Sequence, residues 1–143
     1  MLYRRGVRST MPHKQIAGTP ADWLKHALSS LALAKVPRPK DALWEDLCYH
    51  AQQAAEKALK AVLVKRKIPF RFVHDLNELI DTLEKHGQKM PEQVKASVIL
   101  TGYAVATRYP GNYEPVSKDE WKDAVALAEA VVSWAMKIID AGP

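Results

Sequence analysis

The stretch from Trp44 to Lys67, WEDLCYHAQQAAEKALKAVLVKRK, decides the fold. Trp44, Leu47, Cys48, Ala51, Ala54, Ala55, Ala58, Leu59, Val62 and Leu63 recur at helical spacing over about five turns. Its alanines leave room for neighbouring helices to come close. Asp41 reads as the cap of this helix, and Ile68-Pro69 ends it because proline cannot continue the hydrogen-bond ladder.

The flanks repeat the pattern. Thr19-Pro20 pairs an N-cap with proline at the first helical position and opens a helix to about Lys35. Its apolar stripe is Trp23, Leu24, Ala27, Leu28, Leu31 and Ala34, and Val36-Pro37-Arg38-Pro39 stops it. His74-Asp75 introduces a shorter helix with Leu76, Leu79, Ile80 and Leu83 inward, closed by Gly87 at C′. Pro91 opens a fourth helix through about Arg108, which Pro110-Gly111 terminates. Ser117-Lys118-Asp119-Glu120 matches a capping box and starts the last helix, with Trp121, Val125, Ala128, Val132, Ala135 and Ile139 buried. No stretch alternates as a strand would. The expectation is an all-α, up-and-down helical bundle of four long helices plus one short helix. It occupies residues 19–141, behind a basic N-terminal tail at 1–18 expected to be disordered.

Composition removes several function classes. The 143 residues include a single cysteine, Cys48, which excludes an internal disulfide framework and a multi-cysteine zinc site and fits a reducing cytoplasm. No run of 18 apolar residues suggests a membrane span. The net charge of +5 owes much to Arg4, Arg5, Arg8 and Lys14; beyond them 17 basic residues face 16 acidic ones. Overall basicity is therefore weak evidence for a nucleic-acid partner. There is no Glu-x-x-His pair, no His-Glu-x-x-His motif, no phosphate-cradling glycine loop and no Gly-x-Ser-x-Gly elbow. The five histidines are scattered, so neither a metal nor a cofactor is expected.

Three clusters can carry chemistry. Gln52, Glu56 and Lys60 recur at i, i+4 and i+8 and share one stripe, with Tyr49, Gln53 and Lys57 beside it. Taken alone the stripe reads as a solvated face, its Glu56–Lys60 pair contributing about 0.3–0.5 kcal/mol. The functional alternative is a polar groove shared with another helix or subunit. His74-Asp75 offers an N-cap in Asp75 and, in His74, a hydrogen-bonding switch or general base. The third cluster is Tyr103 followed by Arg108-Tyr109-Pro110-Gly111-Asn112-Tyr113. A guanidinium binds phosphate with fork geometry and tyrosines stack on bases or ribose; alternatively Arg108 is a C-terminal cation on its helix and the tyrosines pack.

Taken together, the block from Tyr49 to Ala61, then His74-Asp75-Leu76, then Ala106-Thr107-Arg108-Tyr109-Pro110 resembles the HEPN domain family. The resemblance implies an all-α bundle that dimerises. It also implies a nucleotide or RNA ligand, and often a minimal nucleotidyltransferase partner in a toxin–antitoxin-like pair. Active members are metal-independent endoribonucleases whose motif is an arginine, four to six intervening residues, then a histidine. Arg108 matches the arginine, but Tyr113, Glu114 and Pro115 stand at the three positions open to the histidine, and no histidine follows His86. A phenol with pKa near ~10 is a poor base at neutral pH.

The expectation is therefore a homodimeric nucleotide- or RNA-binding module, cytoplasmic, with Arg108, Tyr109, Tyr113, Tyr103, Glu56, Lys60 and Gln53 as binding residues. One alternative is a ribonuclease toxin using Arg108 with His74 or Tyr113. Another is a protein-docking adaptor.

Overall fold

The computed structural model describes residues 18–104 and 114–142; the expected N-terminal tail, apart from Gly18, lies outside them. The chain builds α1 (Pro20–Ala34), α2 (Trp44–Lys65), α3 (Leu76–Lys85), α4 (Glu92–Ala96) and α5 (Lys118–Asp140). A 3₁₀ helix over Ser97–Ala104 continues α4. Among the described residues there is no strand, and the all-α expectation holds.

Helix α2 is the central element. It packs against α1, α5, α3 and the 3₁₀ helix, and α1 also touches α5. Ala51, Ala54, Ala55, Ala58 and Ala61 are fully buried, so the small side chains do let partners approach. Leu59, Leu63, Leu76, Leu79, Leu83, Leu100, Val131 and Val132 fill the space around them. The chain direction follows from side-chain contacts. Trp121 Nε1 donates to the Ala34 carbonyl at 2.8 Å, and the Trp44 and Trp121 rings lie 4.9 Å apart. The end of α1 therefore meets the starts of α2 and α5, which places α1 antiparallel to both. That contact also satisfies a carbonyl at the end of α1 which the helix leaves without an internal partner.

Local chemistry explains the boundaries. At Thr19 the hydroxyl accepts from the Asp22 N–H at 3.0 Å while Asp22 accepts from the Thr19 N–H at 3.3 Å, a full capping box. At α5, Ser117 Oγ accepts from the Glu120 N–H at 3.0 Å, whereas the Glu120 carboxylate takes the Tyr103 hydroxyl. Asp41 does not cap α2. Arg38 donates to the Ala42 carbonyl at 2.6 Å and the Ala42 N–H bonds Pro39 O at 3.0 Å, so a turn occupies the expected start. Leu43 is the N-cap without a side-chain bond, and Glu45 and Asp46 complement the helix dipole instead.

The fourth helix differs most from its expectation. It is α-helical only over Glu92–Ala96 and then tightens to 3₁₀. Val98, Ile99 and Thr101 are β-branched and Gly102 is flexible, a run with poor α propensity. The part reaching to Arg108 lies outside the described residues. The three long α-helices have 15, 22 and 23 residues.

Candidate functional site

After α2 the chain turns back. Residues 68–75 form no helix and run along α2 in the opposite direction, which brings Phe72 over Lys60 and His74 over Gln52 and Glu56. Asp75 then caps α3, its carboxylate accepting from the Asn77 N–H at 2.9 Å. The Leu76 N–H is met by Thr101 Oγ1 at 3.1 Å, which ties the start of α3 to the 3₁₀ helix. His74 is thus held at a fixed place by its neighbours on both sides.

Beneath this strap the polar stripe of α2 is buried. Glu56 is 3% exposed, Lys60 4% and Gln52 0%. The solvated-face reading of the stripe fails. Leu59 and Leu63 share the same face, so the stripe belongs to the core rather than to the surface. Hydrogen bonds link its members. Lys60 Nζ donates to Glu56 Oε2 at 2.8 Å, and Gln52 Nε2 donates to Glu56 Oε1 at 3.0 Å. Gln52 Nε2 also reaches the His74 carbonyl at 3.1 Å, and Gln53 Nε2 donates to Gln52 Oε1 at 2.7 Å. The Lys60 ammonium lies 5.6 Å from the Trp23 ring centroid and 5.8 Å from that of Phe72. Two aromatic faces then replace part of the lost water.

Glu56 is the pivot. Burial alone pushes its carboxyl upward, but the hydrogen bonds from Lys60 and Gln52, the ammonium charge and the His74 contact outweigh it and hold the value below the usual carboxylate range. Glu56 is therefore ionised at neutral pH and can only accept hydrogen bonds. His74 Nδ1 stands 3.0 Å from Glu56 Oε1, so Nδ1 carries the proton and Nε2 is the other nitrogen. The His74 side chain is 71% exposed although its carboxylate partner is only 4% exposed. A buried carboxylate orients an imidazole at the surface. Phe72, two residues earlier in the strap, is 54% exposed and meets Phe70 edge-on at 5.8 Å.

The expected site residues separate into three groups. Gln53, Glu56, Lys60 and His74 come together here. Tyr103 stands apart, its hydroxyl donating to Glu120; burial, then that bond, pushes its phenol above the ordinary value. Arg108, Tyr109 and Tyr113 lie outside the described residues. Sequence reasoning missed Phe72 and Trp23. Phe72 carried a readable signal, since it stands two residues before His74 in a stretch bounded by Pro69 and a helix cap. No three His, Cys, Asp or Glu residues among those described gather as metal ligands, and no described helix is long and apolar enough to cross a membrane.

Fold and site define an all-α bundle domain whose central helix carries a buried, hydrogen-bonded polar seam that surfaces at one histidine. The sequence pattern of the HEPN domain matches residues 20–139, and the chain belongs to that family, whose function is nucleotide- or RNA-related. Among solved structures the chain is similar to the protein TT1696 from Thermus thermophilus, with a TM-score of 0.57 and 25% identity. That alignment covers 90% of this chain and 99% of the other. No curated protein matches it.

Proposed function

We propose that the protein is a nucleotide- or RNA-binding module, acting as a homodimer beside a minimal nucleotidyltransferase partner in a toxin–antitoxin-like pair. The observation that supports this reading is the exposed His74 imidazole, oriented by buried Glu56 and flanked by exposed Phe72. Nε2 can accept from a ribose hydroxyl or, once protonated, donate to a phosphate oxygen. Phe72 offers a face on which a base stacks, an interaction of about 1–3 kcal/mol per base. Arg108 supplies the phosphate fork, with Tyr109 and Tyr113 stacking beside it. Glu56 and Lys60 act through His74, because both are buried and bonded to each other, and Gln53 is tied to the same network through Gln52. The dimer and the partner protein rest on the family alone.

One observation favours a second reading. A carboxylate that fixes an imidazole in one tautomer is how hydrolases position a general base. His74 then takes the place of the histidine missing after Arg108, and the protein is a metal-independent endoribonuclease. Labelled mixed-sequence RNA incubated in EDTA with wild type, His74→Ala and Arg108→Ala separates the two. Retention without cleavage, lost in both variants, is the expected result. Cleavage that disappears in His74→Ala makes the protein a ribonuclease. If RNA and mononucleotides are neither held nor cut, both readings are wrong and the docking adaptor stands.

A further inference from the structure

At the far end of α2 from its N-terminus, the closing turns of α2 and α3 meet around an open cleft of about 390 Å³. Arg66, Ile68, His86, Gly87, Gln88 and Lys89 line it. Both helices end in the same way. The Ile68 N–H bonds Leu63 O at 2.9 Å and the Gln88 N–H bonds Leu83 O at 3.0 Å. The Lys67 and Gly87 N–H groups bond Val64 O at 3.1 Å and Glu84 O at 2.9 Å. These paired bonds occupy carbonyls that would otherwise present negative ends to the cleft.

The side chains there are cationic and held in place. Arg66 Nε donates to Gln88 Oε1 at 2.9 Å, which fixes the guanidinium and leaves its terminal nitrogens without a partner among the described residues. His86 Nδ1 lies 2.8 Å from the Thr82 carbonyl, an oxygen that can only accept. Nδ1 therefore carries the proton, and the exposed ring offers Nε2 elsewhere. A Cβ built on Gly87 meets nothing within 4 Å, so the mouth of the cleft is open. Residues 65–71 and 85–91 contain no acid, and Glu84 just before them is paired with Lys95 at 3.1 Å. Lys65, Arg66, Lys67, Lys85 and Lys89 make up five of the 17 basic residues beyond position 14; the remaining 12 face 16 acids. The nearly neutral body thus concentrates its positive charge here.

Complementing the helix dipole accounts for Lys65 and Lys85, which sit in last turns. It leaves Lys67 and Lys89, which lie beyond the helices. Lys67 holds φ 58, a conformation that glycine adopts readily and a residue with a Cβ does not.

We propose that this cleft is a phosphate-binding site that engages the backbone of single-stranded RNA, with Arg66 as the fork and Lys89 as the point charge. It rests on the RNA-binding reading only for the source of the phosphate. Arg66, the C-cap of α2, follows Glu56 by ten residues, a separation of about 15 Å along the axis that a few nucleotides span.

The test is fluorescence anisotropy of a uridine-rich single-stranded RNA over a series of salt concentrations, with wild type, Arg66→Gln/Lys89→Gln and His74→Ala. Amide shifts of Gly87 and Gln88 are followed with the same RNA and with inorganic phosphate. Loss of the two cations should weaken binding for every sequence and flatten the log–log salt slope by about 0.7 for each lost phosphate contact. The Gly87 and Gln88 amides should move with RNA. Unchanged affinity and slope in the double variant overturn the proposal, while loss in His74→Ala alone would still support the strap. Shifts with inorganic phosphate but not RNA overturn the RNA assignment and leave a free-anion cleft. No shift with either overturns the site.

Discussion

Replacing Lys60 by methionine removes the ammonium that faces Glu56 while keeping a stem of similar length. Both partners are about 5% exposed and 2.8 Å apart, so the pair sits where water screens little. At an effective dielectric of about 20, unit charges roughly 4 Å apart attract by about 4 kcal/mol. Breaking a buried pair from one side typically costs about 3–5 kcal/mol, because the remaining charge loses its partner. Lys60→Met should therefore destabilise the fold by about that amount at pH 7, lowering the melting temperature by on the order of 10 °C. The pH dependence identifies the cause. In wild type the Glu56 carboxyl is depressed below its ordinary 4.5, so its contribution is fully present above that value and is lost as pH falls through the folded value. In the variant, burial outweighs what remains, the folded value rises, and protonation then favours the native state. The stability gap to wild type should narrow between pH 7 and pH 4. Urea unfolding followed by tryptophan fluorescence at both pH values measures it, with Lys60→Met/His74→Ala to exclude rescue by a charged imidazole. A loss below about 1 kcal/mol at pH 7, or an equal loss at both pH values, would refute the buried-pair argument.

Other expectations rest on particular contacts. Lys67→Gly relieves a left-handed cap, and should raise stability by up to about 1 kcal/mol, read by urea midpoint. Ser117→Ala removes the acceptor for the Glu120 N–H and should cost about 1 kcal/mol by the same measurement. Ala58→Leu forces a larger side chain into a fully buried position on α2, with an expected loss of about 1–3 kcal/mol or failure to fold, seen by circular dichroism.

The bundle was legible because its signals are local. Thr19-Pro20, Asp75, Gly87 and Ser117 each act within one turn, and each does what its chemistry suggests. The start of α2 was not, since Arg38 reaches over the Pro37–Pro39 linker to claim the Lys40 and Ala42 carbonyls, a contact that no spacing rule registers. Gln52, Glu56 and Lys60 were legible as a stripe, yet their burial depends on Trp23 and on the strap carrying Phe72 and His74, which arrive from distant parts of the chain. Leu59 and Leu63, three and seven residues after Glu56 and so on its face, were the clue that the stripe points inward. His74 was recognised as a candidate base, but only the fold supplies the carboxylate that orients it.

The central claim is that Glu56 fixes His74 with its proton on Nδ1 and Nε2 turned to a phosphate- or ribose-bearing ligand. Long-range ¹H–¹⁵N spectra of the histidine rings, recorded at neutral pH before and after addition of single-stranded RNA, test it directly. An Nδ1-protonated tautomer is expected in the free protein, with a shift at His74 Nε2 when RNA is added. An Nε2-protonated ring, or resonances that RNA leaves unmoved, would contradict it.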